Sequence, residues 1–258
     1  MDEWVAFLNG IETTLEQFDI KGCDIPFFRG HNDSTWKLIP SLFRVKSDYG
    51  SKYSLERALR IEFSSNCGPL YDMKLESWNL LFEMRHAGLP TRLLDWTENF
   101  SSSLFFALRG VNWADNDKQE KKLHPCIWIL DPYMLNEEFW AGGIGLTDDL
   151  EFSYKEFLEF KPAEIKKKFG ITGPIAIYAP RALRRIFAQK SVYTLHIVND
   201  RPIDVILNRC VKKFEIPLNL IKKAERFLYL SGSTEYSMFP DVDGLGRYLI
   251  DRDHIRRK

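Results

Sequence analysis

The sequence predicts an α+β fold in a single compact domain spanning 1–258, and three observations carry that reading. Its 258 residues, 45% of them hydrophobic, are enough to bury one substantial core. Apolar stripes with helical spacing and short, near-continuous apolar runs with strand character both occur along the chain. No internal repeat or low-complexity linker divides it.

The elements are justified in order. Trp4, Phe7, Leu8, Ile11, Leu15 and Phe18 recur at spacings of three and four, which makes residues 1–20 an amphipathic helix packed on the domain. "DIPFFRG" reads as a short strand that delivers Arg29 to an exposed turn. "HNDSTWKLIPSLFR" is turn-rich, and Pro40 keeps it an ordered loop. A helix runs from Ser54 to the Gly68-Pro69 break, and a second covers "LESWNLLFEMRHAG", stopped by Gly88. Arg92–Trp96 is too short for a helix, whereas Asn99–Leu108 carries Phe100, Leu104, Phe105 and Leu108 on one face, with Asn99 or Thr97 as its cap. "PCIWILDP" suits a buried strand, followed by a helix and the Gly-rich turn "AGGIGLTDD". "EFSYKEFLEFKPAEIKKKFG" reads as a helical lid or insert. "GPIAIYAP" and "SVYTLHIV" read as paired strands on either side of "RALRRIFAQK". After the last strand, C-terminal helices fill about 217–258, broken at Gly232.

Charge and cysteine usage exclude several classes. Lys plus Arg equals Asp plus Glu at 36 each, so no global field draws the chain to nucleic acid or membrane. The basic runs at Lys166–Lys168, Arg184–Arg185 and the C-terminal "RDHIRRK" match solvated faces better than binding sites. Cys23, Cys67, Cys126 and Cys210 show neither metal-ligand spacing nor a disulfide pattern, so buried thiols and no metal are expected. No run of 18 apolar residues occurs and the N-terminus is acidic, so a cytoplasmic, membrane-free protein is expected.

The densest chemistry lies in "FFRGH" and "PTRLLDWT". A guanidinium beside glycine suits a phosphate, because the fork offers parallel donors and Gly30 lets a ligand approach. Arg29 and Arg92 converging would hold a diphosphate; the competing reading pairs them with Asp95 or Asp33. His31 and His86 are proton carriers or hydrogen-bonded structural residues. Trp36 and Trp96 are stacking surfaces or core residues. No Ser-His-Asp order, metalloprotease helix or carboxylate pair is present, which weakens hydrolase readings.

"FFRGHNDSTWKLIPSLFR", "RHAGLPTRLLDWTENFSSSLFFAL", "RRIFAQKSVYTLH" and "YSMFPDVDGLGRYL" together resemble the successive blocks of the FRG domain family, a widespread bacterial family, over about 25–250. Family members often carry Gln at the position of His31, and His or Gln at that of Arg85. A looser resemblance links the chain to arginine-type ADP-ribosyltransferases, in which an Arg-Gly strand grips NAD and a later strand brings an acid to the ribose. Here "FFRG" matches the first element, and Gln189 stands where that pattern has Glu. The resemblance implies a short-stranded sheet of ADP-ribosyltransferase-like layout, flanked by helices.

What these resemblances imply is an NAD-using enzyme, an ADP-ribosyltransferase or NAD glycohydrolase in toxin or phage-defence biology, with NAD as substrate and an acceptor left open. Arg29 and Arg92 would hold the diphosphate with Gly30 beside them. Trp96 would stack, Thr97 would bond the nicotinamide amide and His86 would line the site. Asp95, Gln189 or Glu62 would stand near the ribose carbon, where positive charge develops. The alternatives are a non-catalytic nucleotide- or RNA-binding module and a protein-interaction domain. For the sequence alone, Arg29, Arg92 and Asp95 are expected to line one cleft.

Overall fold

All four short apolar runs, together with "LLDWT" and "VKKFE", become strands of one six-stranded antiparallel sheet in the computed structural model, with "FFRGH" near its centre. The structure describes residues 2–18, 25–70, 77–118, 122–140, 144, 150, 157, 162–197 and 200–252. The strands are β1 (Phe27–His31), β2 (Leu93–Thr97), β3 (Cys126–Leu130), β4 (Pro174–Tyr178), β5 (Ser191–His196) and β6 (Val211–Glu215), in the order β4-β5-β2-β1-β3-β6. Helices flank the sheet, as an α+β fold requires.

Local chemistry sets the helix ends. Asp2 caps α1 (Glu3–Gln17) through Trp4 N. A short α2 (Ser41–Arg44) starts directly after Pro40, inside the stretch expected to be a loop; proline is tolerated ahead of a first helical turn, though not within one. Ser51 caps α3 (Lys52–Asn66), and α4 (Ser77–His86) ends at Gly88, whose φ of 86° only glycine adopts freely. Asn99 caps α5 (Phe100–Leu108), and Asp131 with Pro132 starts α6 (Pro132–Phe139). Then follow α7 (Pro162–Phe169), α8 (Arg184–Gln189), α9 (Ile203–Ile206), α10 (Ile221–Leu230), α11 (Glu235–Met238) and α12 (Val242–Arg252). The Gly-rich turn at Gly142, Gly143 and Gly145, and half of the expected lid, lie outside the described residues.

Strand alternation sorts the core into three clusters. On one face, Leu93, Ile175, Ile177 and Leu195 pack under α4. On that same face, Phe28, Ile127 and Ile129 pack under α5, α1 and α10. On the opposite face, Phe27, Leu94, Trp96, Trp128 and Val192 pack against Leu135 of α6 and Ile203 of α9. The first two clusters do not merge. Between them β1 and β2 register only at Phe28↔Thr97, although β1 pairs with β3, and β2 with β5, over all five residues of each. The ladder therefore opens in the middle of the sheet, and the site forms over that opening.

Candidate functional site: an arginine–aspartate cleft at an opened ladder

Where β1 leaves β2, the Asp95 carbonyl loses its backbone donor. Arg29 replaces it: Nη1 donates to Asp95 O at 2.6 Å and lies 3.6 Å from Asp95 Oδ2. Arg29 Nε donates to His31 Nε2 at 2.8 Å, so that nitrogen is an acceptor and the imidazole is neutral. Burial, and next the Arg29 charge, push His31 down to about 2. Arg29 is itself lowered to about 10 by burial, against the pull of Asp95, and stays charged at neutral pH.

Asp95 has a second and closer cation. Arg85, from the last turn of α4, donates from Nε at 3.0 and 2.9 Å and from Nη2 at 2.5 Å. Burial would raise the Asp95 carboxyl, but the charges of Arg85 and Arg29 outweigh it and hold the group below the usual carboxylate range. Its side chain remains 32% exposed to the cleft. Arg29 Nη2 and Arg85 Nη1 have no hydrogen-bond partner among the described residues, and neither is sealed from solvent. The floor thus offers two unused guanidinium donors around one ionised carboxylate.

The cleft has a volume of about 310 Å³. Trp36, 49% exposed, lines it with its ring 5.7 Å from that of His31. Phe106 and Phe239 form an apolar side. His86 lines it from the end of α4, with Nε2 3.1 Å from the Tyr193 hydroxyl and Nδ1 3.7 Å from Glu83. Burial, then the Asp95 charge, push the Tyr193 phenol well above its ordinary value, so it stays protonated.

Arg29, Gly30, Asp95, Trp96, Thr97, His86 and Gln189 all border this cleft, but several expected roles need correction. Arg92 lies elsewhere. It is 4% exposed, donates to Glu56 from N at 2.8 Å and Nε at 2.6 Å, and is held between Tyr53 and Phe157 at 4.6 and 4.3 Å; a guanidinium enclosed this way cannot reach a ligand. The expected convergence of Arg29, Arg92 and Asp95 therefore fails at Arg92, and Arg85 supplies the second guanidinium.

Trp96 borders the cleft through its strand, yet its ring sits in the opposite core at 2% exposure with Nε1 donating to Thr194, because alternation turns it away from Asp95. Trp36 is the available stacking surface. Thr97 spends its hydroxyl internally, donating to Gln189 O at 2.6 Å and accepting from Asn99 N at 3.0 Å. Gln189 is held by α11, its Nε2 donating to Met238 O at 2.9 Å. Gly30 admits a helix, not a ligand: a Cβ there would lie 1.9 Å from Ser103 O and 2.5 Å from Ala107 N of α5. Glu62 is exposed on α3 and does not line the cleft, and Asp33 bonds Thr35 rather than Arg29.

Sequence reasoning missed Arg85 and Arg185. Arg85 was visible only as a departure at a helix end next to His86, and Arg185 only as half of a basic pair. Neither position declares that its helix points at the sheet. Among the described residues no group of His, Cys, Asp or Glu is placed to hold a metal, and no helix is long and apolar enough to cross a membrane.

No curated protein and no solved structure matches the chain. A family does. The matched stretch contains β1, β2, α4 and α5, and so supplies Arg29, Arg85, His86 and Asp95 to the cleft: residues 25–116 match the FRG domain, and the chain is similar to that family over this stretch.

Proposed function

We propose that the cleft binds a nucleotide diphosphate such as NAD, and that Asp95 serves as the ionised carboxylate facing the ribose in an ADP-ribosyltransferase or NAD glycohydrolase reaction. The observation that carries this reading is the Arg29–Asp95–Arg85 cluster at the opened ladder: two fixed guanidiniums with donors to spare, around a carboxylate that burial does not neutralise. Phosphate oxygens suit the spare donors. The base suits Trp36 on the rim. As the glycosidic bond to nicotinamide weakens, positive charge grows on the ribose carbon, and Asp95 is the carboxylate that lines this cleft among the described residues. The volume stands at the small end of the roughly 300–1,000 Å³ usual for ligand pockets, which suits one half of a dinucleotide.

A second reading, a non-catalytic nucleotide module, is favoured by one observation: Asp95 already faces two cations, and the Gln189 amide is committed to Met238. One experiment separates the two. Pure protein is incubated with NAD while free nicotinamide is followed, and binding of NAD and ADP-ribose is measured in parallel. Arg29→Lys keeps the charge but loses the fork, so ADP-ribose binding falls about tenfold or more. Asp95→Asn releases both guanidiniums, so binding is kept while nicotinamide release drops by about 100-fold or more. Binding without release in the wild type selects the module; no binding of either ligand ends both readings.

A further inference from the structure

Two cavities meet at one wall in this molecule. The cleft over Asp95 and a second cavity, of about 490 Å³, both take His86 and Arg185 into their lining. Ala87, Leu183, Arg184 and Pro240 bound the second cavity, with the carboxylates of Glu83 and Asp241 at its side. Arg185 forms the wall by joining three parts of the chain. Its Nη1 donates to His86 O at 2.9 Å, its Nε and Nη2 donate to Asp241 Oδ2 at 3.1 and 2.6 Å, and its guanidinium lies 5.5 Å from the Phe239 ring centre.

This latch is built to exchange partners. The side chains of Arg185 and Asp241 are 32% and 34% exposed, so water reaches the ion pair and it adds little to the fold. Asp241 also has a separate duty, since its Oδ1 accepts from Gly244 N at 2.8 Å and caps α12. Giving up Arg185 leaves that cap in place.

Resting on the reading that the cleft takes a nucleotide diphosphate, we propose that a single dinucleotide-sized ligand occupies both cavities, its diphosphate crossing the wall at Arg185, which trades the Asp241 carboxylate for phosphate oxygens. The first cavity is small for a whole dinucleotide, and the larger one lies directly behind its wall. Arg185 is the guanidinium common to both, and a phosphate offers it the same fork-shaped acceptor that Asp241 does. The second planar moiety then rests on the apolar surface of Ala87, Leu183 and Pro240, beside carboxylates that accept from ring-bound N–H groups.

The test compares nicotinamide mononucleotide, ADP-ribose and NAD by calorimetry on the full chain. Spanning predicts that NAD binds about tenfold or more tightly than nicotinamide mononucleotide. Ala87→Trp, at an exposed position that lines the second cavity alone, fills it and brings NAD down to the level of nicotinamide mononucleotide, whose own binding is unchanged. Asp241→Asn keeps the cap acceptor and frees Arg185, so NAD binding strengthens severalfold. Equal affinities for NAD and nicotinamide mononucleotide that Ala87→Trp leaves equal overturn the spanning ligand while the cleft reading stands. If none of the three ligands binds, the cleft reading itself fails and the spanning ligand falls with it.

Discussion

Arg29 does with a side chain what the backbone gives up between β1 and β2, and that makes its neighbour His31 sensitive to acid. In the folded chain His31 is pushed down to about 2, against 6.5 when exposed, because burial disfavours the charged ring and the adjacent Arg29 guanidinium repels it. Between those values the unfolded chain binds the extra proton. The stability that depends on neutral His31 is therefore fully present above about pH 6.5 and is lost steadily as pH falls toward 2. Two pH units of this loss amount to about 2 to 3 kcal/mol. His31→Gln, whose amide oxygen still accepts from Arg29 Nε, removes that part of the pH dependence; urea unfolding at pH 7 and pH 4.5 measures it, and identical acid sensitivity in the two proteins would contradict the assignment. At this scale the sequence was half legible. Arg29 and Asp95 announced themselves as charges set in short apolar segments. Trp96 misled because adjacent strand residues point to opposite faces, and Arg92 misled because its partner Glu56 lies 36 positions away on α3.

A helix laid directly on a strand needs a strand residue without a side chain, and the contact of α5 with β1 is such a place. Ser103 and Ala107 are one helical turn apart, both small, and their backbones straddle Gly30. This contact carries Phe28 and the α5 core under the same roof that positions Asn32, whose amide donates to Ala107 O at 2.8 Å. The backbone atoms that Gly30→Ala would meet have no rotamer to change, so the helix must lift, at a cost of about 3 kcal/mol or more. Melting should fall by roughly 6 to 12 °C for a chain of this size, with the α5 side of the cleft displaced. Gly50→Ala serves as the control, since nothing lies within 4 Å of a Cβ there. Equal melting of the two variants would show that α5 yields freely. Most elements were legible because periodicity, caps and glycine stops agree along α1, α3, α4 and α5. The purpose of Gly30 was not, because a glycine in a strand signals close approach without saying what approaches.

The whole molecule raises the question of which part folds as a unit. The FRG match covers 25–116, which includes β1 and β2 but none of the strands that pair with them along their length. Those two strands share one registered pair, while β3 holds β1 and β5 holds β2, both contributed by later sequence. The apolar clusters are divided in the same way: Phe28 packs with Ile127, Ile129 and the α10 residues Ile221 and Ala224, and Leu93 with Ile175, Ile177 and Leu195. Cleft residues follow suit, since Arg185, Gln189 and Phe239 lie past the matched stretch. Sequence pattern identified β1, β3, β4 and β5 but not their order, because each of those runs is apolar and none encodes its partner, while β2 read only as too short for a helix. A fragment of 25–116 would keep its helical propensity and lose both ladders and most of the buried area that offsets chain entropy. Expressed alone, it is expected to give no cooperative thermal transition and poorly dispersed amide resonances, whereas the full chain melts cooperatively. If the fragment instead folds with native-like dispersion and binds the ligands of the full chain, then β1 and β2 hold a sheet without β3 and β5, and the folding unit is the matched stretch.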